Sequence, residues 1–426
     1  MPAPVSNVLL PLVPGRTRES SSPLPTLVLK GRAFDGKELH RAAVLTIDSD
    51  AGIITGFGDR GSVEEGRDAK VIKRDDATIL PGLIDAHLHF YSSKGEGVTS
   101  WASVPDTLAV LRAAHDLGTL LRAGFTTVRE LGTKGGVHLA QAVEEGAVDG
   151  PTVVSCSRAL SQTGGDDDPP GFTLGIAQRL ASYTYFCDGP WDCRRAVRKV
   201  VRDGGSVVKL YASGAFSRGA KVRLNFTLDE VKAIVDESHR AGLKVAAHAY
   251  GEDALLMVIE AGVDSIEHGL GLTPHTVKTI AEKGIYYVPT LTTYMAAYMG
   301  QSHSSRAREE LVKRHFTYDM VAMKEHRVKV VTGSDIVGDS KRPHGRNYLE
   351  IVEEAKYLGN REALRAATSR AAACLDLPDR GSLRKGCRAD VIVVKGNPVD
   401  DLESLAPENV IHVIKSGRLY SGAANA

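Results

Sequence analysis

The sequence predicts an α/β protein: a (β/α)8 TIM barrel that carries a small composite β-sandwich domain formed by both termini. Apolar strand-like runs alternate with helical segments from residue 81 to about residue 383, which is typical of βαβ units and a parallel sheet. The length of 426 residues suits one barrel with a modest satellite. We therefore predict a flexible tail at residues 1–25, the composite domain at 26–80 plus 384–426, and the barrel at 81–383.

The terminal regions have a β pattern without helix signals. Short β-like runs occupy residues 26–29, 43–47 and 53–58, and the same rhythm returns at 389–394 and 410–414. Because both regions flank a single α/β body, we expect one composite sheet domain. The alternative is a pair of unrelated terminal extensions.

One unit of the barrel can be followed residue by residue. Thr227 and Glu230 form a capping box ahead of an amphipathic helix that ends at Gly242. Strands at 244–248 and 264–268 follow, with a helix between them. About eight such units would close a barrel.

The composition excludes several classes of partner. The 53 Lys and Arg residues nearly balance the 52 Asp and Glu residues, so we expect no nucleic acid ligand. The five cysteines lack CxxC spacing, which favours a reducing compartment and argues against thiol-bound metal. No signal peptide is recognisable, and no run approaches the ~20 apolar residues of a membrane helix. We expect a soluble, cytoplasmic protein without membrane contact.

The strongest chemical signal is the run D-A-H-L-H-F at residues 85–90, directly after an apolar strand. Side chains alternate faces along a strand, so His87 and His89 point the same way and can share one metal ion. Alone the motif is weak, because two histidines at an exposed edge would give the same pattern.

Three further candidates stand at the ends of predicted strands, namely His248, His268 and Asp335. Each lies where an apolar strand meets a turn, and in this fold that edge is the catalytic face. With the two histidines they supply a set of metal ligands.

Lys209 lies in the otherwise apolar strand 207–211. An ammonium cannot bind a metal, so a lysine buried there must pair with a carboxylate, lose its proton or be chemically changed. Carboxylation by carbon dioxide would give a carbamate whose two oxygens can bridge two metals. The residues alone leave these alternatives open.

The ordered motifs D-A-H-L-H-F, V-V-K-L-Y-A-S-G, A-A-H-A-Y-G, S-I-E-H-G and T-G-S-D resemble the amidohydrolase superfamily. The resemblance is stronger to its branch of binuclear Xaa-Pro dipeptidases, the prolidase-like carboxypeptidases, and ochratoxinase. It runs from about residue 28 to 419 and includes the segment R-K-G-C-R-A-D-V-I-V-V.

The resemblance implies a binuclear centre in which His87 and His89 bind one metal, His248 and His268 the other, and carboxylated Lys209 bridges them. Asp335 would contact the first metal and the bridging hydroxide, and act as general base and then general acid. Zinc is the first choice, although such ligands also suit manganese or cobalt. A homo-oligomer is a further implication, with no interface identifiable in the sequence.

The resemblance also implies a small amide or dipeptide substrate with a free carboxylate. In the segment after Lys209, Tyr211, Arg218, Lys221 and Arg223 could bind it, or they could form a solvated basic loop. Tyr250 and His344 are additional candidates for the pocket wall.

One departure concerns the loop S-Q-T-G-G-D-D-D, where the chain has Asp166 at a position at which relatives often carry a histidine. An ionised aspartate accepts hydrogen bonds but cannot donate one. The acidic triplet 166–168 therefore favours a substrate with an amine or amide donor, unless it is only a solvated turn.

The leading functional hypothesis is a metal-dependent hydrolase in which a metal-held hydroxide attacks a peptide or acyl-amide bond. One alternative is a cyclic-amide hydrolase or deaminase resembling imidazolonepropionase, with a single metal. Another is a barrel without catalytic activity. Lys209 separates the first two, because a bridging carbamate has no use with one ion.

Overall fold

The computed structural model describes residues 27–59, 61–63, 69–93, 100, 103–168, 171–214, 222–299 and 306–422. The predicted tail at residues 1–25 lies outside the described residues. Within the described part no helix is both long and apolar enough to cross a membrane.

Both ends of the chain contribute to one mixed sheet, as the sequence predicts. Its seven strands follow the order β17-β16-β15-β4-β1-β2-β3. The strands are β1 Leu27–Phe34, β2 Leu39–Asp48, β3 Ile53–Asp59, β4 Lys70–Pro81, β15 Val391–Lys395, β16 Val410–Lys415 and β17 Arg418–Ser421. The two ends meet where β15 pairs antiparallel with β4. The limits of the composite domain stay a prediction.

The barrel strands run parallel, in agreement with the predicted α/β class. They are β5 Leu83–Leu88, β6 Phe125–Glu130, β7 Thr152–Ser155 continued by β8 Ala159–Ser161, β10 Val207–Tyr211, β11 Lys244–Ala249, β12 Ser265–His268, β13 Tyr286–Val288 and β14 Lys329–Val330. A short additional strand, β9 Thr184–Phe186, pairs with β8.

Backbone hydrogen bonds close the barrel between its first and last strands. Ala86 N donates to Thr332 O and His89 N donates to Ile336 O, both at 2.9 Å. Ser206 N donates to Ser155 O at 2.8 Å and joins β7 to the segment that leads into β10. The carboxyl ends of the strands therefore surround one common centre.

The helices cover the outside of the barrel, and a segment from His315–Asp319 is π-helical. They are α1 Asp106–Arg122, α2 Gly136–Glu144, α3 Leu174–Leu180, α4 Pro190–Arg202, α5 Leu228–Arg240, α6 Glu252–Ala261, α7 Pro274–Lys283, α8 Leu291–Tyr298, α9 Arg306–Arg314, α10 Met320–Glu325, α11 Tyr348–Leu358, α12 Asn360–Ala366 and α13 Ser369–Cys374. Short 3-10 helices occupy Leu402–Leu405 and Pro407–Asn409.

Helix α5 has the capping box and the buried apolar face that its sequence predicts. Its capping box is confirmed: the Thr227 side chain accepts from Glu230 N at 3.4 Å, and Thr227 N donates to Glu230 Oε2 at 2.7 Å. Both bonds satisfy amide groups that the first helical turn leaves without partners. Val231, Ile234 and Val235 are buried in the barrel core, and this fixes the helix between its neighbouring strands.

Candidate metal centre

The six predicted ligands come together at the carboxyl ends of the barrel strands. His87, Lys209, His248 and His268 lie on β5, β10, β11 and β12; His89 directly follows β5, and Asp335 lies in the loop after β14. The side chains are buried, except that Asp335 keeps 16% of its side-chain exposure. Ligand atoms of His87, His268 and Asp335 all lie within 4.8 Å of one another.

Asp335 connects the two histidines of the first strand with the rest of the group. Its Oδ1 lies 3.5 Å from His87 Nε2 and 3.2 Å from His89 Nε2. The ring centroid of His268 lies 4.9 Å from that of His87 and 4.7 Å from that of His248. All four imidazoles therefore border one small space.

Hydrogen bonds at Nδ1 orient three of the imidazole rings. His87 Nδ1 lies 2.7 Å from Glu267 Oε2, His89 Nδ1 3.0 Å from Gly132 O, and His268 Nδ1 2.7 Å from Thr290 Oγ1. Such contacts fix the tautomer that leaves the Nε2 lone pair for a metal. His248 Nε2 is buried and has no hydrogen-bond partner in the described part of the chain. This donor set fits a divalent metal.

Burial favours the neutral form of three of the imidazoles, those of His87, His248 and His268. Burial, reinforced by the charge of Lys209, lowers the pKa of His87 to about 4 and the pKa of His248 well below its usual value. Burial also lowers the pKa of His268 well below its usual value. A neutral imidazole has the lone pair that metal binding needs, so these histidines have the form that a metal ligand requires at neutral pH.

Lys209 is buried, and among the described residues it forms no ion pair. Its Nζ lies 5.3 Å from the centroid of the Tyr211 ring. Burial lowers the pKa of Lys209, while the charges of Glu267 and Asp335 act in the opposite direction. The structure gives no support to the alternative in which a paired carboxylate neutralises this lysine.

The backbone is strained at two of the candidate ligands and at a residue that contacts one of them. His268 and Asp335 adopt left-handed φ values of 67° and 52°, and Thr290, the partner of His268, has a φ of 51°. Left-handed φ is rare for residues other than glycine and concentrates at functional sites.

Asp85, the first residue of the D-A-H-L-H-F run, ties the loop of Asp335 to β5. Its carboxylate accepts from Ser334 N at 3.0 Å, from Ser334 Oγ at 2.6 Å and from Asn347 Nδ2 at 2.8 Å. Asp335 N donates to His87 O at 2.7 Å. These bonds fix the distance between the two histidines and Asp335.

Sequence reasoning missed the buried ion pair behind His87. Glu267 accepts from Arg129 Nη2 at 2.7 Å and from Ser265 Oγ at 2.6 Å. Burial alone would raise the pKa of Glu267, but Arg129 and His87 hold it at about 2. The sequence signal that could have indicated this ion pair is Glu267 itself, a carboxylate directly before His268 on a buried strand.

Replacing Glu267 with glutamine tests this support. We expect metal affinity to fall ~10–100-fold, the usual cost of losing an outer-shell partner, because an amide orients the His87 ring less well. Competition with a chelator measures the effect. Glu260→Gln is the control, since Glu260 lies on the surface with Lys232. Unchanged affinity in Glu267→Gln would contradict the assigned role.

The predicted substrate residues have different positions. The rings of Tyr211 and Tyr250 lie 5.4 Å and 4.3 Å from the His248 ring, so both border the centre. Arg223 is exposed, with its carbonyl accepting from Gly214 N. Arg218 and Lys221 lie outside the described residues.

His344 is buried with its Nε2 2.9 Å from His89 O, so it contacts the backbone of the segment that follows β5. Asp166 is half-buried, and its carbonyl accepts from Ser161 Oγ at 2.6 Å. Tyr294, which the sequence did not single out, has its hydroxyl 2.5 Å from that of Tyr250.

Neutral imidazoles, a carboxylate and a buried lysine at the carboxyl face of a parallel barrel define a metal-dependent hydrolase. Residues 78–420 match the Amidohydrolase family. The chain belongs to this family and is an amidohydrolase, an enzyme acting on carbon–nitrogen bonds.

Its relatives place it in the ochratoxinase and prolidase-like branch. It is 30% identical to ochratoxinase of Aspergillus niger over 454 residues, which cover 99% of this chain and 92% of the relative. The crystal structure of A. niger ochratoxinase superposes with a TM-score of 0.85 and 28% identity over 94% of this chain and 96% of the other. A prolidase complexed with N-methylphosphonate-L-proline gives a TM-score of 0.83 and 31% identity over 93% and 100%.

Proposed function

We propose that this protein is a binuclear amidohydrolase that cleaves a peptide or acyl-amino-acid amide bond. One observation carries the proposal: a lysine without an ion pair in the described chain is buried close to the imidazoles of His87, His248 and His268 and the carboxylate of Asp335. A site for one metal needs no such lysine. A carbamate on it would complete a site for two.

The residues divide into two ligand groups. His87 and His89 would hold one ion, and His248 and His268 the other, with carboxylated Lys209 shared between them. The burial that lowers the pKa of Lys209 favours its neutral amine, which can form a bond to carbon dioxide with release of one proton. Two divalent ions, zinc first, would lower the pKa of water and polarise the substrate carbonyl.

Asp335 is suited to move the proton. Burial favours its protonated form, but contact with His89 and the nearby His87 and His268 hold its pKa well below the usual range. The ionised Oδ1 can therefore accept the proton of the attacking water and deliver it to the leaving nitrogen. Its left-handed backbone and the bond from Asp335 N to His87 O fix the carboxylate in that position.

The relatives support a proposal for the substrate class. The similar prolidase structure is a complex with N-methylphosphonate-L-proline. Another similar structure is a Xaa-Pro dipeptidase with bound methionine. We propose a small amide or dipeptide for this chain as well, and the cytoplasmic location and the homo-oligomer stay predictions.

A single-metal site of the imidazolonepropionase type is the second candidate. The ligand atoms of His87, His268 and Asp335, all within 4.8 Å of one another, could by themselves surround one ion. That arrangement leaves His248 Nε2 and Lys209 without a function. Membership of the amidohydrolase family argues against the barrel without activity.

A hydrolysis screen tests the proposal. Purified protein is stripped with a chelator, and half is reloaded with zinc in bicarbonate buffer. Both halves are assayed against N-acyl amino acids and Xaa-Pro dipeptides by detection of the released amino acid. We expect turnover only after reloading. Equal activity in the metal-free half would refute the mechanism.

A further inference from the structure

A buried carboxylate on helix α11, that of Glu350, binds the start of helix α8. Its Oε1 accepts from Leu291 N and its Oε2 accepts from Thr292 N, both at 2.7 Å. The hydroxyl oxygen of Thr292 also lies 2.7 Å from Oε2. The first amide groups of a helix have no partner within the helix, so this carboxylate satisfies two of them from a different element.

The connection between β13 and α8 contains Thr290, which contacts the candidate metal centre. Its hydroxyl oxygen lies 2.7 Å from Nδ1 of His268. Thr290 is buried and has a left-handed φ of 51°, a backbone conformation that β-branched residues rarely adopt. The neighbours of Thr290 are held on both sides, since His315 Nε2 lies 3.0 Å from Pro289 O and Glu350 binds the amide that follows. The contacts of Glu350 therefore help to fix Thr290 beside the imidazole ring.

The start of α8 also contacts the loop that carries Asp335. Thr292 Oγ1 lies 2.9 Å from Ser334 O. This loop has a second support, because Ser334 donates through both its N and its Oγ to the carboxylate of Asp85. Loss of the contacts at α8 should therefore disturb His268 more than Asp335.

The side chain of Glu350 must accept hydrogen bonds at both of its oxygens. A backbone N–H can only donate, and the amides of Leu291 and Thr292 point at different oxygens. Burial raises the pKa of Glu350, and a protonated carboxyl group can still accept at both oxygens. Glutamine has one acceptor atom, so its NH2 group would face one of the two N–H groups. The change to glutamine thus breaks the arrangement with almost no change in side-chain volume.

We propose that Glu350 is a positioning residue for the metal centre: it holds the start of α8, thereby fixes Thr290, and through Thr290 sets the orientation of the His268 ring. The inference rests on the proposed binuclear centre, in which His248 and His268 would hold the second ion. It adds a residue outside the ligand set, on α11, that decides how tightly this second ion is bound.

Calorimetric titration of zinc into metal-free protein in bicarbonate buffer tests the inference without any need for turnover. The wild type should bind two ions. Glu350→Gln should bind the second ion ~10-fold or more weakly, the usual cost of losing an outer-shell partner, and should keep the wild-type affinity for the first. In the amide assay, its activity should fall at limiting zinc and recover in excess zinc.

Glu354→Gln is the matched control, since Glu354 is also buried and lies one turn further along α11. Its Oε2 accepts from Thr332 Oγ1 at 2.6 Å, and its Oε1 has no hydrogen-bond partner in the described part of the chain. One acceptor atom is therefore enough at this position, and glutamine supplies it. The control should bind both ions as the wild type does.

Three results would overturn the inference: two ions bound by Glu350→Gln as tightly as by the wild type, an equal weakening of both ions in that variant, and loss of the second ion in Glu354→Gln as well. The last two would mean that Glu350 only stabilises the fold. A wild type that binds a single ion would refute the binuclear centre itself and the inference with it, an outcome distinct from these three.

Thr290→Val keeps the inference testable if Glu350→Gln does not fold. Valine has nearly the same shape as threonine but lacks the hydroxyl group that contacts His268 Nδ1. This variant should show the same selective loss of the second ion. Unchanged binding of both ions would contradict the inference, because Thr290 is the link between Glu350 and the imidazole ring.

Discussion

Lys209→Ala will lose its metal and its activity together. The methyl group of alanine cannot carry a carbamate, so both ions lose a shared ligand and the remaining imidazoles are left around a cavity in a buried site. We expect metal content to fall well below that of the wild type and turnover to fall below detection. Mass spectrometric metal analysis and the amide assay on the same preparation measure the two effects.

A matched control and a chemical rescue make this prediction specific. Lys244→Ala changes a lysine at the start of the adjacent strand that is paired with Asp264 at 3.0 Å, and it should keep metal and turnover. Acetate added with zinc supplies a carboxylate to the space that Lys209 occupied, and should restore part of the activity of Lys209→Ala. A metal-loaded, active Lys209→Ala enzyme would disprove the bridging role.

Asp335→Asn will keep its metal but lose most of its turnover. Asparagine has nearly the same shape and tolerates the left-handed φ of 52° at this position, so the ligand geometry survives. Its amide cannot take up the proton of the attacking water. We expect kcat to fall ~10²–10⁴-fold, the usual contribution of a general acid or base. Steady-state kinetics with parallel metal analysis provides the measurement.

Asp376→Asn is a control matched in backbone conformation, since Asp376 has a φ of 56° on the exposed surface. It should behave as the wild type. If Asp335→Asn keeps full turnover, the residue has no role in proton transfer. If it loses metal instead, Asp335 acts mainly as a ligand.

The barrel and the positions of the candidate ligands were predictable because both depend on local periodicity. Alternating faces along β5 place His87 and His89 on one side, and the same rule directs His248 and His268 to the carboxyl face. The capping box of Thr227 likewise involves residues one helical turn apart. Patterns that join residues only a few positions apart can be recognised in a single sequence.

The supporting contacts were not predictable, since they join distant parts of the chain. Glu267 and Arg129, which bond through Oε1 and Nη2, are 138 positions apart in the sequence. The loop after β8 shows a second limit. Asp167 has a left-handed φ of 65° and its carboxylate accepts from Thr184 Oγ1 at 2.7 Å, a contact that the run of three aspartates does not reveal.

The count of bound metal ions tests the binuclear proposal most directly. Protein reconstituted with excess zinc and bicarbonate is desalted, and zinc is measured against protein concentration by inductively coupled plasma mass spectrometry. The proposed centre predicts close to two ions per chain, with activity rising as the second ion binds. Full activity at one ion per chain would contradict a bridging Lys209 and favour the single-metal alternative.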